Sequence, residues 1–338
     1  MKTHALSRRE MFGILAAPLV APAAQSSKIP MSLIIDDGAP VDPLFYELPG
    51  YETPLVIPAE FTRSVADTFE RFDLRGKFTV IPMPSTLGRL DKSLKRVPAA
   101  SVESFLKQVR ERIAPRFDIT PEFLTHSRAY DLRTGDYQHI YEDVWISQAP
   151  LEEIAEYFEL AFRILQNVGL EANGITSPWN SGIDVEKKYA RALADAQWKV
   201  FQRKLTWYFL HSVGMKQPRR CSVECEVPER GQVVVSVPAN APDIFWPEEL
   251  PTRAERWERI RQGIDRLLSA DGRTGRIREL IDSGYPVVLL THWQSLYTQG
   301  TGLGLEGLQS LAERIQKVFG KNVEWIRCSE LARRSVRS

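Results

Sequence analysis

Short apolar runs alternate with amphipathic helical patterns along most of the chain, and this alternation restricts the fold more than any other feature. The strand candidates are Met31–Ile35, Lys77–Ile81, Glu122–Thr125, Ala172–Thr176, Lys199–Gln202, Gln232–Val237, Val287–Thr291 and Val323–Arg327. Between them lie helical stripes. One runs through Ile154, Tyr157, Phe158, Ala161, Ile164, Leu165 and Val168 and is closed by Gly169. A second is Trp257, Ile260, Ile264 and Leu267; a third runs from Leu305 through Leu308, Leu311 and Ile315 to Phe319, ended by Gly320. Strands separated by helices form parallel sheets. Seven or eight strands with no repeat and no low-complexity linker predict a single barrel-like α/β domain over residues 26–338, with an open doubly wound sheet as the alternative. The loops Pro40–Pro58 and Trp207–Arg230 are long for simple connections, which is typical of binding or lid elements.

The first 25 residues are of a different kind. Ser7-Arg8-Arg9-Glu10-Met11-Phe12 is followed by an apolar stretch from Gly13 to Val20 and then by Ala21-Pro22-Ala23-Ala24. A basic start, a short apolar run and small residues form a cleavable signal peptide, and the run is too short to span a bilayer. The paired arginines match the twin-arginine type, so the expected location is periplasmic or secreted. A formal charge of +1 over 338 residues supplies no electrostatic pull toward nucleic acid. The three cysteines, Cys221, Cys225 and Cys328, allow at most one disulfide and do not have zinc-site spacing.

Chemistry is expected where strands end. Met31–Ile35 runs into Asp36-Asp37-Gly38, Glu122–Thr125 into His126, and Val287–Thr291 into His292. In parallel α/β folds the C-terminal strand ends converge on one face, so two acids and two histidines far apart in sequence become candidates for one pocket. Adjacent side chains on a strand point oppositely; Asp36 and Asp37 can share a pocket only if the chain turns there, and Gly38 makes a turn easy.

The ordered motifs resemble a known family. Ile34-Ile35-Asp36-Asp37-Gly38-Ala39-Pro40 resembles the T-F-D-D-G-P motif of polysaccharide deacetylases, carbohydrate esterase family four. Gly76-Lys77-Phe78-Thr79-Val80 is similar to the A-T-F-F-V strand that follows it, and Thr125-His126-Ser127-Arg128-Ala129-Tyr130-Asp131-Leu132 to the N-H-[ST]-x-x-H-P-x-L segment. Ser177-Pro178-Trp179-Asn180-Ser181-Gly182 stands where R-P-P-Y-G is expected, and Leu289-Leu290-Thr291-His292 resembles the late L-x-L-H strand. The resemblance implies a distorted (β/α) barrel of about seven strands and a divalent metal, usually zinc. It assigns Asp36 as catalytic base, Asp37 and His126 as metal ligands, and His292 as the acid that protonates the leaving group. A backbone N–H near Trp179 would complete the oxyanion hole. Two departures stand out. Tyr130 occupies the position of the second metal histidine, leaving Asp131 as the oxygen ligand in its place. The arginine that orients the base has no counterpart in Ile175-Thr176-Ser177-Pro178.

Trp179, Trp246 and Trp293 follow predicted strands and, with Tyr130 and Asp243, are the expected substrate-binding residues, since aromatic faces stack on sugar rings. Tyr297 lies nearby. Gly302-Leu303-Gly304-Leu305-Glu306-Gly307 matches G-x-G-x-x-G but opens no βαβ unit; it is expected as a flexible loop and lid. His139 and His211 are expected to face solvent. Three functions follow: metal-dependent removal of acyl groups from a polysaccharide or oligosaccharide, glycosidic cleavage by hydrolysis or elimination with Asp36 or Tyr130 as base, and glycan binding without turnover.

Overall fold

The computed structural model describes residues 28–42, 56–210, 214, 216–246 and 252–337. The signal segment, His211 and most of the loop Pro40–Pro58 lie outside the described residues. The strands in chain order are β1 (Ile29–Asp36), β2 (Gly76–Thr79), the short pair β3 (Gly88–Arg89) and β4 (Ser93–Leu94), β5 (Phe117–Thr120), the hairpin β6 (Arg128–Tyr130) and β7 (Tyr137–Tyr141), β8 (Gly174–Ser177), β9 (Leu205–Leu210), β10 (Ser222–Val227), β11 (Gln232–Ser236), β12 (Val287–His292) and β13 (Val323–Trp325).

Two sheets carry the architecture. The first has the order β12-β1-β2-β5, all parallel, with β13 beside the start of β1. The second has the order β10-β11-β9-β8, parallel except for the β10–β11 hairpin. Isolated parallel bridges, Ile119 to Ala172 and Glu122 to Thr176 at one seam and Ala241 to Leu289 at the other, join the two sheets. Among the described residues no sheet is closed by a continuous ladder, so the expected barrel is present there only as these two bridged sheets. Every residue of β1 from Met31 to Asp36 is buried, and so are all of β2, β5, β8 and β12. Burial on both strand faces is the signature of a parallel sheet covered by helices.

The helical stripes pack as their periodicity requires. Helix Leu151–Asn167 buries Ile154, Tyr157, Phe158, Ala161, Ile164 and Leu165, and Gly169 follows it at φ 76° in the left-handed region that ends helices. Helix Arg253–Leu267 starts on a Thr252/Glu255 capping box. No helix among the described residues is long and apolar enough to cross a membrane. Cys221, Cys225 and Cys328 are all free thiols, and Cys328 is buried beside Ser32.

Four expectations are corrected. Residues 199–202 are not a strand: helix Glu186–Phe201 continues through them and ends at Gln202, φ 51°. The strand lies just beyond, as β9, so the supposed loop Trp207–Arg230 contains most of β9 and all of β10. Glu122–Thr125 is not a regular strand either. β5 stops before Pro121, which has no N–H to continue a ladder, and Phe123 and His126 turn the chain at φ 41° and 55°. The G-x-G-x-x-G segment is not a free loop. Helix Leu303–Phe319 includes Gly304 and Gly307, and a Cβ on Gly304 would lie 1.9 Å from the Ser295 carbonyl oxygen, so the glycine permits close packing.

Gly38 also has a different job from the one expected. The positive φ that turns the chain belongs to Asp37, at 65°. A Cβ on Gly38 would instead meet the Thr79 carbonyl oxygen at 2.0 Å and the Phe78 ring at 2.8 Å. Overpacking against backbone has no cheap relief. Gly38→Ala should therefore lower the unfolding free energy by at least about 2 kcal/mol, measured by urea denaturation; a change within about 0.5 kcal/mol, as at an ordinary surface site, would show that the close approach is not real.

Candidate active site

Three parts of the chain build the pocket. Asp36, the last residue of β1, stays in register beside His292 of β12. The left-handed turn at Asp37 then swings the second acid off the strand line. Its backbone N–H donates to Glu122 Oε2 at 2.8 Å, and its Oδ1 lies 2.9 Å from His126 Nε2. Glu122 Oε1 lies 3.5 Å from the same nitrogen. Asp37, Glu122 and His126 are all buried and form one cluster able to hold a metal ion.

The segment carrying Glu122 and His126 is tied to β8 by the isolated bridge at Glu122, and Glu142 holds the N–H groups beyond it. Its Oε1 accepts the N–H groups of Leu124 at 3.1 Å and Thr125 at 2.9 Å, and Oε2 accepts that of His126 at 2.9 Å. Tyr157 donates its hydroxyl to Oε1 at 2.7 Å and accepts the Tyr130 N–H. One buried carboxylate thus satisfies three backbone donors that the irregular chain would otherwise orphan.

The opposite wall is an imidazole–carboxylate pair. His292 Nδ1 is 2.7 Å from Asp243 Oδ2, and Asp243 also accepts from Ser295 Oγ at 2.6 Å and the Phe245 N–H at 2.8 Å. A cavity of about 390 Å³ is lined by Asp37, Glu122, His126, Trp179, Asp243, Trp246 and His292. The Trp179 ring packs 4.9 Å from His126, and the Trp246 ring stands edge-on to His292 at 5.0 Å. Tyr141, 45% exposed, extends the Trp179 side, and Trp246 is equally exposed on the other.

Burial alone would push Asp37 up, but His126 beside it, His292 and the Glu122 contact hold it well below the usual carboxylate range. Burial, with Asp37 close by, pushes Glu122 well above that range. His126 is lowered by burial yet raised more by Asp37 and Glu122, reaching about 10. Burial likewise opposes charge on His292, while the Asp243 hydrogen bond and the Asp37 and Asp36 charges lift it to about 9. Perturbed groups gathered in one cleft mark a functional site.

Of the residues expected from sequence, Asp37, His126, His292, Trp179, Asp243 and Trp246 meet in this cavity. Asp36 does not line it. Fully buried, Asp36 pairs through Oδ1 with Lys77 and Thr79, while its Oδ2 has no hydrogen-bond partner. Asp131 is not at the cluster: it sits in the β6–β7 turn, where Oδ1 accepts the N–H groups of Arg133 and Thr134. Tyr130 turns its ring to Tyr137 at 5.3 Å, outside the pocket lining. Trp293 is core, completely buried among Phe61, Phe78 and Phe105 with Nε1 bonded to the Ala39 carbonyl. Tyr297 packs on Phe61, and His139 is exposed on β7 as expected. Glu122, Lys77 and Glu142 were missed. Glu122 had a signal in its place four residues before His126, and Lys77 in being a charge within an otherwise uncharged strand.

No protein-family model matches the chain, and no curated protein matches it. Solved structures of polysaccharide deacetylases are similar to it. One is a protein assigned as a polysaccharide deacetylase from Mycobacterium smegmatis, 14% identical over 95% of each chain, TM-score 0.49. Another is a carbohydrate esterase family four pseudoenzyme from Bacillus anthracis, 11% identical over 91% of this chain and 66% of that one, TM-score 0.41. A 4-alpha-glucanotransferase from Thermococcus litoralis is 12% identical over 90% of this chain and 40% of its own, TM-score 0.47. Likeness this distant assigns no chemistry, which has to come from the side chains themselves.

The donor set fits a divalent ion. Ligand atoms bound tetrahedrally at about 2.0–2.2 Å lie roughly 3.3–3.6 Å apart; Glu122 Oε1 at 3.5 Å from His126 Nε2 matches this, and Asp37 Oδ1 at 2.9 Å would have to open by about half an ångström. Asp37 Oδ1 is buried and directed at His126 Nε2, so these two ligand atoms already converge on one point. Two oxygens and one imidazole suit zinc but also harder ions. His126, held at about 10, must give up its Nε2 proton to bind an ion, and burial beside Asp37 also favours the protonated form of Glu122, so binding should displace protons. Calorimetric titration of chelator-stripped protein with zinc or manganese, in buffers of different ionisation enthalpy, should show net proton release on ion binding. Affinity should rise with pH, fall at least about tenfold in Glu122→Ala, and be unchanged in Asp131→Ala. Dependence on Asp131 rather than Glu122 would overturn this ligand set.

Proposed function

We propose that the protein is a metal-dependent hydrolase that removes acyl groups from a polysaccharide or oligosaccharide. The observation that carries this reading is the placement of the Asp37–Glu122–His126 cluster across one aromatic-walled cavity from the His292–Asp243 pair. The two bridged sheets are read together as one distorted barrel of seven parallel strands, whose C-terminal ends surround that cavity.

Asp37, Glu122 and His126 would hold the ion, which supplies Lewis-acid polarisation of the acyl carbonyl and a more acidic water. Asp36 stands behind the cavity wall between its lining residues Asp37 and His292, and its unpartnered Oδ2 is the acceptor for the proton of a water held against that wall as the water oxygen bonds to the acyl carbon. His292 enters the reaction cationic, its Nδ1 fixed by Asp243, and delivers the Nε2 proton to the leaving nitrogen or oxygen as that bond breaks. Trp179 and Trp246 hold the sugar between their rings and limit water at the reacting carbon.

The test is acetate release from acetylated chito- and xylo-oligosaccharides. Wild-type protein should be active, lose activity to chelator, and regain it with zinc or manganese. Asp36→Asn and His292→Ala should each reduce kcat by about 10²–10⁴-fold. His292 is a competent acid only while protonated, so activity should fall as pH rises through about 9. Asp243→Asn, which removes the main contact raising that value, should move the alkaline limb to lower pH. Glycan binding with no acetate release would instead favour a non-catalytic role, and shortened chains would favour glycosidic cleavage.

We also propose that residues 1–25 export the protein by the twin-arginine route, on the strength of Ser7-Arg8-Arg9 and the apolar run that follows. Replacing Arg8 and Arg9 with Lys should leave the protein in the cytoplasmic fraction. Unchanged export would remove the twin-arginine assignment.

A further inference from the structure

The cation that faces Asp36 comes from an unexpected strand. Lys77 is the second residue of β2, which lies beside β1 with Lys77 level with Ile34, so its stem runs along β1 to reach Asp36 Oδ1. Both side chains are fully buried. Thr79 Oγ1 accepts from Lys77 Nζ at 2.7 Å and donates to the same Asp36 oxygen at 3.2 Å. The Phe209 ring covers the ammonium at 5.5 Å. All these contacts converge on one carboxylate oxygen, and Oδ2 is left buried without a partner.

A buried ion pair adds little net stability over apolar residues of the same shape, because desolvating both charges offsets their attraction. A pair kept for packing alone would also be expected to satisfy both carboxylate oxygens. We propose that Lys77 is the positioning residue of Asp36, clamping Oδ1 so that Oδ2 is the oxygen available to accept a proton. This inference rests on Asp36 being the base of the proposed hydrolase.

The experiment compares wild type, Lys77→Met, Thr79→Val, Asp36→Asn and the Asp36→Asn/Lys77→Met double variant. It measures acetate release from an acetylated chito-oligosaccharide, along with bound metal and thermal unfolding. Lys77→Met should lower kcat by at least about tenfold with KM within about twofold and full metal content, as loss of an interaction needed in the transition state does. Thr79→Val should cause a smaller fall of the same kind. Lys77→Met should add nothing in the Asp36→Asn background, since residues acting as one unit are non-additive. If Lys77→Met does not fold, Thr79→Val and the charge-neutral double variant carry the test. Wild-type kcat in the folded Lys77 or Thr79 variants, or a Lys77 effect that adds fully to that of Asp36→Asn, would overturn the positioning role. Wild-type turnover in Asp36→Asn would overturn the base assignment instead, and no acetate from wild type would overturn the hydrolase reading together with this inference.

Discussion

Two carboxylates end the central strand of this protein, and neither can be buried there without a compensating charge. A bare carboxylate in a low-dielectric interior costs several kcal/mol or neutralises itself. The chain meets that constraint twice within two residues. Asp36 remains on the strand and takes Lys77 from its neighbour β2. Asp37 turns off the strand and takes His126 from a segment about ninety residues on. The turn at Asp37 therefore divides two charge-compensation problems between two sides of β1. Gly38, by letting Thr79 approach, brings the two sides close enough for both to be solved.

The second constraint is backbone satisfaction. Residues 121–127 leave the sheet at Pro121 and pass through two left-handed residues, a geometry that gives up ladder hydrogen bonds. Glu142 replaces them with one carboxylate and is itself oriented by Tyr157 on helix Leu151–Asn167. His126 thereby takes its position through Glu142 from Tyr157 on that helix. The same logic holds across the cavity, where Asp243 fixes His292 while being held by Ser295 and the Phe245 N–H. Both walls are rigid for the same reason: a buried carboxylate with several donors.

Much of this was legible in the sequence, and the limits are physical. Helical stripes were read correctly because amphipathic periodicity is local, as the buried face of Leu151–Asn167 shows. Asp37 and His292 meet in the cavity as expected of strand ends in a parallel fold, whereas His126 reaches the same cavity from an irregular segment and not from a strand end. The segment Lys199–Gln202 misled because Val200 and Phe201 are good strand formers, while the helix periodicity that claims them lies in the residues before. Trp293 misled likewise: a tryptophan after a strand serves a core or a pocket equally well, and only its neighbours, Phe61, Phe78 and Phe105, distinguish the two.

The sequence by itself determined the parallel α/β class, the two adjacent acids and the candidates for the pocket, since each follows from periodicity or from residues adjacent along the chain. The tertiary structure decided which partners those acids have. Glu122 rather than Asp131 completes the cluster because Asp131 uses its oxygen to close its own turn, whereas the left-handed residues around Glu122 fold it back onto Asp37. Lys77 faces Asp36 because β2 is paired beside β1 in that register. Partnerships between side chains forty or eighty-five residues apart depend on strand register and backbone turns, and neither is encoded by spacing along the chain.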